Sequence, residues 1–214
     1  MGEGGCDSLE RVGNIPPLDY WIFSTPHAEG PMDLSSIFGA NGSLILDLGA
    51  GEGSFIIDYA IKNPQACLFA IEKKISRVRK IASKARRLNL KNLRVIHCCW
   101  EQFLLRHCMP SSIDEIHILF PDPWPKRRHH KRRSIKAPVV QAIADVLKPN
   151  GICRLLTDNR EYFVWSEKLF HLSGYFEEKP LALPSEYPES LFQKRFKERG
   201  ILCYQALWIK KTAL

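Results

Sequence analysis

An α/β fold built on a mostly parallel sheet is predicted by three features of the sequence. Compact apolar runs recur at Leu44–Leu48, 67–71, Leu93–His97, 113–120 and 152–157. Stretches with helical spacing follow several of them, as in Phe55, Ile56, Tyr59 and Ala60, or Ile75, Val78, Ala82 and Ala85. Turn residues punctuate the alternation, as at Asn63-Pro64 and Pro149-Asn150-Gly151. Strands that alternate with helices pair in parallel, with helices covering both faces of the sheet.

Taken in order, residues 1–40 hold Pro16-Pro17, Pro26 and Pro31 and no sustained period, so they read as an irregular N-terminal arm with a helical turn near Asp33-Leu34-Ser35. Residues 41–214 read as one domain. Its first run, Leu44–Leu48, is short and apolar enough for a buried parallel strand, and a helix over 52–62 follows. The run at 67–71 leads into a helix with an apolar face and a Lys/Arg-rich face. Strands at Leu93–His97 and 113–120, a helix over 138–147, a strand at 152–157 and a helix over 161–172 complete the alternation. Tyr175-Phe176 and 202–209 read as a final antiparallel pair, with Pro180, Pro184 and Pro188 marking a long loop between them.

The composition narrows the function classes. A chain of 214 residues can bury a core without disulfide or metal staples. No run approaches the roughly 18 apolar residues of a membrane span, and MGEGGCDSLE has neither a basic nor an apolar leader segment. The seven cysteines have no metal-ligand spacing, so reduced thiols in a cytoplasmic protein are expected, with no metal. The formal charge of +8 points to a polyanionic partner.

The first apolar run ends in DLGAGEG, from Asp47 to Gly53. A glycine-rich turn between strand and helix lets a ligand approach the backbone and aims amides at it. Counted from Gly49 and Gly51, the third glycine comes at Gly53, one residue early for the dinucleotide fingerprint. Glu72 ends the second strand, where a carboxylate can accept ribose hydroxyls. Cys99 and Trp100 follow the third strand, near where an adenine would lie; Trp100 suits either a wall over that ring or the core.

The most specific segment is FPDPWPKRRHHKRR, Phe120 to Arg133. Its last eight residues, Lys126, Arg127, Arg128, His129, His130, Lys131, Arg132 and Arg133, hold six formal positive charges and two histidines. A block of this kind needs solvent or a polyanion, and prolines fix this one at the end of a strand, where α/β domains bind ligands.

That segment resembles the signature of the tRNA (guanine-N7-)-methyltransferase family. The resemblance extends from about Ile37 to Ile209 and includes SIFGANGSLILDLGAGEGSF, Glu72, NLKNLRV and TDNREYF. It implies a Rossmann-like class I methyltransferase fold, S-adenosylmethionine as methyl donor, a guanosine in the tRNA variable loop as acceptor, and no obligate protein partner. Asp47, Gly49, Gly51, Gly53, Glu72, Cys99 and Trp100 are the implied donor site. Asp122 and Asp158 resemble the family's active-site acids, Lys126 to Arg133 its RNA-contacting stretch, and Tyr162 its aromatic position. The chain departs from the family's Thr-x-Phe-Glu-x-Arg-Gly, carrying Lys194 and Lys197 for the Thr and the first Glu, with Glu198 one residue along. Cys99 is the second departure, at a position the family commonly fills with an acid or amide.

Guanine N7 has a free lone pair and no proton to lose, so the acids are expected to orient the base and offset its charge. Asp158 has a second reading as the cap of the helix starting near Arg160. Two other functions share these motifs: a methyltransferase acting on another RNA, and a non-catalytic RNA-binding relic of the fold.

Overall fold

The structure is a computed structural model that describes residues 15–23, 30–39, 42–180 and 187–212. Its elements are β1 (Ile22–Phe23), β2 (Leu44–Leu48), α1 (Ser54–Lys62), β3 (Cys67–Glu72), α2 (Ile75–Arg87), β4 (Leu93–His97) and α3 (Trp100–His107). They continue with β5 (Ile113–Leu119), α4 (Ala137–Val146), β6 (Leu147–Thr157), α5 (Arg160–Ser173), β7 (Phe176–Lys179), α6 (Leu191–Glu198) and β8 (Tyr204–Lys210).

One eight-stranded sheet runs in the order β1-β4-β3-β2-β5-β6-β8-β7. Strands β1 to β6 are mutually parallel, and β8 pairs antiparallel with both β6 and β7. Every residue of β2 and β3 is buried, as expected of central strands covered on both faces. The predicted fold class is the one observed. The helical face of α2 differs in one position: Ile81 is buried with Val78, Ala82 and Ala85, whereas Ile75, in the first turn, is 42% exposed.

Three segments differ from the sequence reading. The N-terminal stretch is not wholly irregular: β1 joins β4 at the sheet edge, and Trp21 is fully buried with its Nε1 donating to Leu90 O at 2.7 Å. Burial of that indole holds the described part of the arm on the domain. The helical turn falls at Ser35–Ile37, with Leu34 beside it in the core. Pro149-Asn150-Gly151 does not separate helix from strand; it is a bulge inside β6, where pairing steps from Ile113–Leu147 to Glu115–Ile152 and Asn150 is left-handed at φ 64. The stretch after Pro188 is helical as α6, which is capped by Ser190 Oγ accepting from Gln193 N at 3.1 Å. The remainder of the supposed loop, 181–186, lies outside the described residues. Among the described residues no helix is long and apolar enough to cross a membrane, and Cys67, Cys98, Cys99, Cys108, Cys153 and Cys203 form no disulfide.

Candidate active site

The strand order reverses between β2 and β5, and a crevice opens there beyond the carboxyl ends of the strands. Its floor is the loop from Gly49 to Gly53, in which all three glycines have positive φ (83, 57 and 74°). Gly53 is also held by packing: a Cβ there would stand 2.6 Å from Ile81 Cγ1, so only glycine lets α1 start this close to α2. Two acids face this loop. Glu72 is 4% exposed, and its carboxylate accepts from Gly51 N at 2.9 Å and Lys74 N at 2.8 Å. These two amides fix its direction at the crevice wall.

Asp47 is 2% exposed, and the described residues bring it no hydrogen-bond donor and no cation. Burial, and then the neighbouring Glu72, push its carboxyl up to about 7. A buried acid left in this condition fits a ligand that brings its own positive charge. The α-ammonium of an amino acid moiety is such a group.

Trp100 and Cys99 form the wall on the β4 side. Trp100 packs against the core and also lines the crevice, its indole 3.8 Å from where a Cβ on Gly49 would be. The Cys99 thiol donates to Glu101 Oε2 at 2.6 Å. Burial raises the Glu101 carboxyl, but hydrogen bonds from Cys99 and Ser134 outweigh it and leave it below its usual range. Glu101 lines the crevice and was passed over in the sequence, although it stands two residues from the position where an acid or amide was sought.

Beyond β5, the chain turns sharply through Phe120 (φ 52) and Trp124 (φ 45), both in the left-handed region that bulky residues avoid. The turn presents Asp122, exposed, to the crevice. A 3-10 helix, Arg127–Arg132, follows, with Lys126, Arg127, Arg128, Lys131 and Arg132 exposed and His129 and His130 half-buried. The Arg132 guanidinium lies over the Trp124 ring at 4.9 Å.

Four residues are not where the sequence reading put them. Arg133 ends the basic run yet is 1% exposed; its Nε donates to Pro123 O at 3.0 Å and its Nη2 to Glu161 Oε1 at 2.8 Å. It fastens the turn to α5 and presents nothing to a substrate. Tyr162 is fully buried, its hydroxyl accepting from Ile135 N at 3.2 Å, because the start of α5 packs inward on the core. Glu198 is exposed at the end of α6, off the crevice wall. Asp158 is exposed just past β6, also off that wall, and it does not cap α5, since Asn159 Oδ1 accepts from Tyr162 N at 2.8 Å instead.

The remaining wall, Ser190 to Phe192, was missed in the sequence. Leu191 N donates to Ser54 Oγ at 3.0 Å, and Tyr187 OH lies 2.9 Å from His117 Nδ1. Burial lowers His117 to about 4, so the ring is neutral and pairs with the Tyr187 hydroxyl through Nδ1. These bonds tie the start of α6 to α1 and β5, across the crevice.

A family model described as a putative methyltransferase matches residues 41–202. The tRNA (guanine-N(7)-)-methyltransferase of Nitrosomonas eutropha is 35% identical over 184 residues, covering 84% of this chain and 80% of that protein. The enzymes of the same name from Chlamydia abortus and Shewanella woodyi are 32% and 29% identical, covering 83% and 97% of this chain and 80% and 85% of their own. Among solved structures, the 16S rRNA methyltransferase KamB is similar at a TM-score of 0.60 with 15% identity, covering 83% of this chain and 92% of that one. A 16S rRNA adenine methyltransferase from Catenulisporales acidiphilia, solved with its cosubstrate SAM, gives 0.58 with 14% identity, covering 85% and 92%. At such identities these structures speak for the fold alone. The sequence match to the family model and the identity to the curated relatives carry more: the chain belongs to the tRNA (guanine-N7-)-methyltransferase family, and is a methyltransferase whose methyl donor is S-adenosylmethionine.

Proposed function

We propose that the protein methylates N7 of a guanosine in tRNA, in the variable loop. The reading rests on one juxtaposition. The crevice that holds Asp47, the glycine loop and Glu72 is continued by Asp122, and the turn bearing Asp122 runs directly into the exposed basic helix. Asp47 receives the donor's ammonium, the loop amides its carboxylate, and Glu72 its ribose. S-adenosylmethionine, when bound, supplies a methyl group on a sulfonium centre. Guanine N7 attacks that carbon with its lone pair, the carbon–sulfur bond breaks toward sulfur, and the base becomes cationic with no proton leaving. Asp122, on the crevice wall past the end of β5, orients the base and offsets that charge rather than acting as a general base. The phosphates lie along Lys126 to Arg132.

The test is to incubate the protein with S-adenosylmethionine and unmodified bulk tRNA, digest the RNA and identify its methylated nucleosides by mass spectrometry. N7-methylguanosine is expected, and chain scission at the modified base should map it to the variable loop. Another methylated nucleoside, or no product from protein that binds the donor, overturns the proposal. Asp122→Asn is expected to lower turnover about tenfold to hundredfold with donor affinity held, since it removes one preorganised charge beside the reacting base; turnover within a few-fold of wild type removes Asp122 from the site.

Replacing Arg127, Arg128 and Arg132 together by Ala is expected to weaken tRNA binding and to flatten its dependence on salt by about 0.7–0.9 in log–log slope for each phosphate left without its cation. Donor binding should not change. An unaltered slope sinks the assignment of this helix to phosphates.

A further inference from the structure

Phe192 is 45% exposed, a high value for phenylalanine, and it lies on the crevice wall with Asp122. Its ring is backed rather than loose: its centroid stands 6.0 Å from that of Phe120 and 6.1 Å from that of Phe196. Phe120 in turn contacts Phe196 at 5.4 Å and begins the turn that carries Asp122. The open ring is therefore held in register with that carboxylate. Lys194 and Arg195 on the same short helix and Arg199 just past its end are exposed, while Lys197 is engaged by Glu189 at 3.2 Å.

A base taken out of an RNA stack loses both of its stacked neighbours, and enzymes that act on extruded bases restore at least one with an aromatic or apolar surface. Methylation at N7 adds a geometric demand. The purine edge must meet the donor, so the purine plane must be fixed by contact with a face. In this crevice the donor-side groups, Asp47 and Glu72, belong to β2 and β3, and Trp100 walls that end against Gly49. Phe192 is the exposed aromatic ring on the other side, next to Asp122.

We propose that Phe192 is the surface on which the extruded guanine stacks, an inference that rests on the function proposed above. The acid beside it supplies in-plane hydrogen-bond acceptors and the ring supplies the plane. Sequence-independent attraction of the RNA is left to the basic helices on either side.

The test compares wild type with Phe192→Ala, Phe192→Leu and Phe192→Trp. If wild type forms no N7-methylguanosine, the function proposed above fails, and this inference with it. If it does, Phe192→Ala and Phe192→Leu are expected to lower kcat/KM for tRNA about tenfold to hundredfold, the usual effect of losing one base–aromatic stack. Phe192→Trp should stay within a few-fold of wild type. Binding of S-adenosylhomocysteine by calorimetry, and the melting temperature, should be nearly constant across the series. Leucine fills the wall without a π-face, so a fully active Phe192→Leu overturns the proposal. So does a Phe192→Trp as poor as Phe192→Ala, or a donor affinity that falls in parallel with the rate, because either assigns the ring to wall packing alone.

Discussion

Asp47→Asn is expected to make the protein melt higher at pH 8 and to remove most of its affinity for the donor. Asp47 lies next to the carboxyl end of β2, paired across the sheet with Ala70 and His117, and burial holds its carboxyl at about 7 against an ordinary 3.8. Between those values the native state keeps a proton that the unfolded chain has released. Stability therefore falls as pH rises from about 4 to about 7, and is level above. The size of that loss is about 4 kcal/mol at order of magnitude. The amide has nearly the same shape and no charge, but its own desolvation offsets part of the gain, so a net of about 2 kcal/mol or more is expected at pH 8, or about 5 °C in Tm. At pH 4 and below, where Asp47 is neutral in both states, the two proteins should melt close together. Donor binding should change in the opposite sense. A cationic ammonium needs the carboxylate, so wild-type affinity should climb as pH rises toward 7, until the donor's amine begins to deprotonate near 8. The variant should bind at least about a hundredfold more weakly, as expected when a buried charge pair loses one partner. Titration of both proteins by calorimetry at three pH values gives the answer; equal donor affinities would remove Asp47 from the donor site.

The parts of this fold that were legible in the sequence are those whose cause is local. Leu44–Leu48 is apolar because a central parallel strand is buried on both faces, and Gly53 is glycine because Ile81 leaves no room for a Cβ. What was not legible depends on residues distant along the chain. Arg132 and Arg133 are adjacent and identical, yet one lies over Trp124 and the other is interior, because Glu161, 28 residues later, comes to meet it. Helix α6 has no buried residue and so no apolar period to announce it. Its start did carry a signal, since Ser190 and Gln193 have the spacing of a capping box. Asp158 reads as the cap of α5 in the sequence, but the cap is its neighbour Asn159, whose own N donates to Thr157 Oγ1 at 3.2 Å.

Arg133→Ala is expected to lower the melting temperature by about 10 °C and to depress turnover more than any change in the exposed part of the basic run. The guanidinium joins the Pro123 carbonyl to Glu161, and it sits 5.4 Å from the Tyr162 ring centroid and 5.5 Å from that of Trp165. Removal leaves a part-buried carbonyl without its donor and a cavity between the turn and α5, a loss of about 3 kcal/mol. The turn is the element least able to absorb it, since Phe120 and Trp124 hold left-handed conformations that only their surroundings maintain. Asp122 lies between them, so its position degrades with the turn. Arg133→Lys keeps the charge but has no planar fork to serve two acceptors at once, and should recover little. Glu161→Ala should cost far less, because that carboxylate is 59% exposed and water replaces much of what it loses. The contrast with Arg127, Arg128 and Arg132 is in the readout: their replacement shifts the salt dependence of tRNA binding and leaves melting alone. A protein lacking the Arg133 side chain that melts with the wild type and binds tRNA weakly would mean that this arginine reaches outward to phosphate, and the interior role would be lost.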